Sequence, residues 1–171
     1  MTNKLKLQKS ITKWCGKSAY DIAKIFDIFR HESFFIDSLL ELICEPSCQK
    51  GATWLLKAWL NDGGQLNKQQ ISKISASLHT LAHWETKLHA LQCLPFLTID
   101  QSEKKLVETF LRITLSGQNK FVRAWSYNGF YELARQYPEY QAETKILFEM
   151  AMNDEAASVK ARVRNLIRKG F

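Results

Sequence analysis

A ladder of basic residues constrains this chain more than any other feature. Lys13, Lys50, Lys87, Arg123 and Lys160 are separated by 37, 37, 36 and 37 residues. With each taken as position zero, the positions three, six, seven and ten further on are mostly small or apolar. From Arg123 they are Ser126, Gly129, Phe130 and Leu133; from Lys87, Ala90, Cys93, Leu94 and Leu97. From Lys13 they are Gly16, Ala19, Tyr20 and Ala23; from Lys160, Val163, Leu166, Ile167 and Gly170. The copy from Lys50 supplies Thr53, Leu56 and Leu60 but sets Lys57 where an apolar residue belongs. At about 3.6 residues per turn these offsets share one side of a helix. A period of this length holds two helices, and a unit of two helices buries its apolar face only by stacking on its neighbours. The expectation is an α-solenoid of about four and a half units.

The punctuation agrees. Pro and Gly fall at Glu45-Pro46-Ser47, Asn61-Asp62-Gly63-Gly64, Ser116-Gly117 and Tyr137-Pro138-Glu139. Between them apolar residues recur at threes and fours, and no sustained alternation marks a strand. The spacing predicts helices over 10–29, 32–44, 47–61, 67–81, 84–97, 101–116, 119–137, 139–152 and 155–169. Ser47 and Asp100 stand as N-caps, and Pro95 should kink or shorten the fifth helix. The chain of 171 residues is 46% hydrophobic and 24% charged, which fits one globular domain over 1–171 and excludes wholesale disorder. No apolar run reaches the roughly 18 residues of a membrane span, and Met1–Trp14 lacks an export signal's apolar stretch. Cys15, Cys44, Cys48 and Cys93 then read as reduced thiols in a cytoplasmic protein, with Cys15 and Cys93 as small core side chains.

The residues around Arg123 resemble a HEAT repeat. Val122-Arg123-x-x-Ser126-x-x-Gly129-Phe130-x-x-Leu133 is similar to that family's second-helix pattern, and Val159-Lys160-x-x-Val163-x-x-Leu166-Ile167 follows it closely. The resemblance implies right-handed stacking of helix pairs, with the second helices lining a concave surface. It also implies that the basic residue ties one repeat to an acid or to a carbonyl in the preceding turn, and Asp154 stands in that place before Lys160. It implies no chemistry.

If the apolar offsets face the core, offsets one, five and eight face outward at about 100° per residue. Offset five reads Ser18, Leu55, Gln92, Asn128 and Asn165, so its last three members form a row of amides. Beside them lie Trp125, Tyr127 and Tyr131, with Arg164 and Arg168 one unit on. Lys87, Gln92, Arg123, Tyr127, Asn128, Tyr131, Lys160, Arg164, Asn165 and Arg168 are therefore the candidate binding residues.

Charge adds to this. The net charge is +7, but residues 1–17 carry +5, residues 156–171 carry +5, and the stretch between is −3. Two cationic ends suit an acidic partner or a phosphate backbone. Catalytic motifs are lacking: there is no G-x-S-x-G, P-loop, G-x-G-x-x-G or H-E-x-x-H. His79 and His83, four apart, lack a third metal ligand, and the Cys44-x-x-x-Cys48 pair lacks its second half. The expectation is a non-catalytic scaffold or adaptor binding a protein or polyanion, without cofactor, metal, membrane or small-molecule substrate. The alternative is a DNA-binding protein similar to the alkylation-repair DNA glycosylases built from HEAT-like repeats. That family uses tryptophans and an acid; here Trp14, Trp54, Trp84 and Trp125 and the acids Asp21, Glu85 and Glu132 occupy the second helices.

Overall fold

The computed structural model describes residues 3–171. In chain order its helices are α1 (Asn3–Lys13), α2 (Ala19–Phe29), α3 (Phe35–Leu42), α4 (Gln49–Asn61), α5 (Lys68–Ser77), α6 (Trp84–Cys93), α7 (Lys104–Leu115), α8 (Lys120–Gln136), α9 (Gln141–Asp154) and α10 (Ala157–Lys169). Single 3-10 turns occupy Leu78–Thr80, Leu94–Phe96 and Pro138–Tyr140. Among the described residues there is no strand, and no helix is long and apolar enough to cross a membrane. The chain is all-α.

Local chemistry sets the boundaries. The expected helix over 10–29 is two helices. The break falls at Gly16, whose φ of +75° is a conformation L side chains avoid. Ser18 then opens α2 by accepting the Asp21 N–H at its hydroxyl. The offsets counted from Lys13 therefore do not share a helix: Tyr20 is 69% exposed, and α2 buries Ile22, Ile25, Phe26 and Phe29 instead. Pro95 does shorten its helix, since α6 ends at Cys93 and Pro95 sits in the turn after it. Neither expected cap holds. Cys48, not Ser47, precedes α4 and makes no side-chain cap. The helix expected from 101 begins at Lys104, and the Glu103 carboxylate reaches back to the Asp100 N–H. Asn119 caps α8 by accepting the Phe121 and Val122 N–H groups.

Packing brings alternate helices together. Helix α4 lies against α6, α6 against α8, and α8 against α10; α3 and α7 both contact α5. One large apolar cluster runs from Leu7 and Ile11 in α1 to Phe130 and Leu133 in α8. A second, smaller cluster joins α8, α9 and α10 through Tyr127, Tyr131, Phe148, Ala151, Val159, Val163 and Leu166.

Helix α8 touches α6, α7, α9 and α10. Its small residues mark the closest approach. The Ser126 and Thr114 hydroxyls lie 2.8 Å apart, and a Cβ on Gly129 would sit 2.3 Å from Leu111 Cδ2 and 3.0 Å from Leu94 Cδ1. The apolar offsets counted from Lys87 and Arg123 are all buried. From Lys160, Val163 and Leu166 are buried, but Ile167 and Gly170 are exposed because no further helix covers α10 among the described residues. Gly129→Val should overpack the α7–α8 contact and destabilise by roughly 1–3 kcal/mol, read as a lower urea midpoint. An unchanged midpoint would show that these helices do not meet there.

Candidate functional site

Three rungs of the basic ladder are used inside the fold. Lys50 Nζ donates to Glu85 Oε1 at 2.7 Å, tying α4 to α6. Arg123 grips Glu155 with both prongs, Nε to Oε1 at 2.7 Å and Nη2 to Oε2 at 2.9 Å. Its Nη1 also donates to the Gly117 and Gln118 carbonyls of the preceding turn, at 3.0 and 2.7 Å. Lys160 Nζ donates to the Asn153 carbonyl at 2.9 Å, so the expected acid, Asp154, is not its partner. Pairing raises the Arg123 pKa and holds the Glu155 carboxyl below the ordinary carboxylate range. Arg123→Met would leave Glu155 uncompensated at a side chain only 11% exposed, so a loss of about 2–3 kcal/mol is expected in chemical denaturation. Arg123→Lys should recover only part of it, because a lysine lacks the fork.

The amide row does not form one outward face. Asn128 is 7% exposed, Gln92 is half-buried and Asn165 is exposed, while Leu55 at the same offset is fully buried. Tyr127 and Tyr131 are likewise buried: the Tyr127 hydroxyl donates to Glu155 at 3.5 Å, and the Tyr131 ring stacks on Phe171 at 5.4 Å. The outward arithmetic assumes one packing partner per helix, and α8 has α10 against its supposed outer side. On α10 itself, with no helix beyond it, Arg164, Asn165 and Arg168 are exposed as expected.

Two half-buried cations on these helices lie outside the candidate binding residues, Lys57 having stood out in the sequence only as a charge at an apolar offset. Arg162 lays its guanidinium over Trp125, with Cζ 3.9 Å from the ring centroid, and Lys57 Nζ lies 5.4 Å from the Trp54 centroid. Among the described residues neither makes an ion pair or hydrogen bond through its side chain, and burial lowers the pKa of both. Gln92 adds an Oε1 that is buried without a hydrogen-bond partner. One signal was readable: Trp125 and Arg162 are 37 residues apart, at the same offset in successive units.

Between α4 and α6 a second group is held in one state. His89 is buried, with Nδ1 3.1 Å from the Thr53 hydroxyl. Burial, then the Lys57 and Lys50 charges, push its pKa down to about 4. The unfolded histidine, at 6.5, takes a proton that the folded one refuses, so His89 favours the fold above pH 6.5 and loses that advantage as pH falls towards 4. Lowering the pH from 7.5 to 5 should cost about 2 kcal/mol, a loss absent from His89→Gln, measured by urea denaturation at each pH. Cys93 beside it is buried, and its thiol is pushed up to about 12, which leaves it an inert core side chain. Cys15, expected in the core, is exposed at the break between α1 and α2. No group of three His, Cys, Asp or Glu able to hold a metal exists among the described residues.

No protein-family model matches this chain, and neither a curated protein nor a solved structure matches it.

Proposed function

We propose that this chain is a non-catalytic HEAT-like α-solenoid scaffold that holds a polyanionic partner along the face of α4, α6, α8 and α10. The successive packing of those four helices supports the solenoid arrangement, as do the ties made by Lys50 and Arg123. The observation that carries the binding reading is the pair of cations on tryptophans, Arg162 on Trp125 and Lys57 on Trp54, half out of water with no carboxylate to answer them. A charge in that position is stabilised by a counter-charge from outside, and the aromatic ring beside it offers a stacking surface. Arg164 and Arg168 extend the positive field at the C-terminal end. The DNA glycosylase reading draws on the same tryptophans, but of its candidate acids Asp21, Glu85 and Glu132 the last two are engaged with Lys50 and Arg135.

A duplex-DNA and a heparin column, eluted with stepped salt, test the proposal. The intact chain should be retained with a steep salt dependence. Lys57→Gln/Arg162→Gln should reduce the slope of log K against log salt by about 2, since each phosphate that a cation neutralises contributes roughly 0.9. Elution of the intact chain at the first salt step, or an identical slope for the variant, would overturn it.

A further inference from the structure

Lys87 is the half-buried rung of the ladder with no partner: among the described residues its ammonium makes no ion pair or hydrogen bond. The reason is in the next unit. Where Glu85 answers Lys50, the residue 36 positions on is Phe121; where Glu155 stands five before Lys160, the residue five before Arg123 is Gln118. Neither carries a charge. Lys87 instead faces two adjoining hollows, of about 490 and 210 Å³, which share Lys87 and Ile113. Together they form a groove between α7 on one side and the end of α5 with the start of α6 on the other.

This groove has an apolar stripe and a basic rim. Trp84, Leu106 and Ile113 are 45%, 46% and 56% exposed along it. Leu106 and Ile113 are seven residues apart on α7, about two helical turns, or roughly 10 Å. The charged or titratable groups lining it are Lys87, Lys105 and His79; no Asp or Glu lines either hollow, although Glu108 shares Lys105 at 3.0 Å. Ser75, in the lining, is 1% exposed and its hydroxyl has no hydrogen-bond partner among the described residues, so the groove holds a buried, unsatisfied polar group.

We propose that this groove docks an acidic amphipathic helix from a partner protein, whose carboxylate replaces the acid missing from the Lys87 rung. Its apolar side chains cover Leu106, Ile113 and Trp84, and a polar side chain reaches Ser75. The charge complementarity selects this occupant over a basic or neutral one, and two turns of apolar stripe match the anchor spacing of a helix laid in a groove. Neither Lys57 nor Arg162 lines the groove, so the proposal stands or falls independently of the polyanion reading.

The probe is a fluorescein-labelled synthetic helix of about four turns, with leucines at i, i+4 and i+7 and glutamates flanking them, followed by anisotropy. Gln-for-Glu and scrambled peptides serve as comparisons. The Glu peptide should bind the intact chain; Lys87→Gln should weaken it about tenfold while leaving the weaker Gln peptide unchanged, and Ile113→Ser should weaken both. Lys57→Gln/Arg162→Gln should bind the peptide normally. Both groove residues are solvent-accessible, and unchanged melting temperatures would confirm intact folds. Equal binding of the Glu and scrambled peptides, or indifference to Lys87→Gln, would overturn the proposal. So would duplex DNA that occupies the groove in place of the peptide and is lost with Lys87→Gln.

Discussion

Helix α8 runs where four other helices converge, and the depth to which it settles is fixed by what two of its residues lack. Gly129 has no Cβ to meet Leu111, and Ser126 fills its place with a hydroxyl already paired to Thr114. Both lie on the side towards α7. With α8 held that close, Phe130 and Leu133 reach the main core, while Tyr127 and Tyr131 turn to the α9–α10 side. Arg123 at its start then meets Glu155 at the mouth of α10, and Trp125 lies under Arg162. The structural clamp and the candidate binding group thus both follow from one steric allowance.

Six basic residues on and beside the ladder take three fates. Lys50, Arg123 and Lys160 spend their hydrogen bonds on acids or carbonyls of the fold itself. Lys57 and Arg162 lie on aromatic faces, partly desolvated and without an anion. Lys87 stands beside an apolar groove, and at the sequence positions of its counterparts' acids the next unit has Phe121 and Gln118. Position in the repeat is common to Lys50, Lys87, Arg123 and Lys160, but only Lys50 and Arg123 meet an acid one unit later, in Glu85 and Glu155, while Lys160 turns back to the Asn153 carbonyl.

Much of the helical content and the core was legible because periodicity reports what a helix buries. Ser126, Gly129, Phe130 and Leu133 are buried where the pattern set them, as are Ala90, Cys93, Leu94 and Leu97. The pattern failed at the chain's two ends for opposite reasons. At Gly16 the backbone turns into a conformation that periodicity does not encode, and at Ile167 an apolar offset is exposed because no further helix covers α10 among the described residues. The candidate site was less legible. A count of offsets gives each helix one inside and one outside, whereas Asn128 and Tyr131 lie on a helix enclosed from several directions. Arg162 over Trp125 is a contact between successive units, and the rows of the repeat reveal it only when offset two is compared across them.

The division of the apolar interior into two clusters has a mechanical meaning. The buried residues of the main cluster end at α8, and α9 and α10 are held by a smaller cluster, by the Arg123–Glu155 clamp and by the ties of Arg112 to Glu143 and of Tyr140 to Glu108. Leu115 and Leu147 pack against both clusters, so the two are joined through α7 and α9 as well as through α8. Under the proposed function, the binding group at that end is only as well defined as the seating of α10 on α8, because Arg162 and Trp125 lie on different helices.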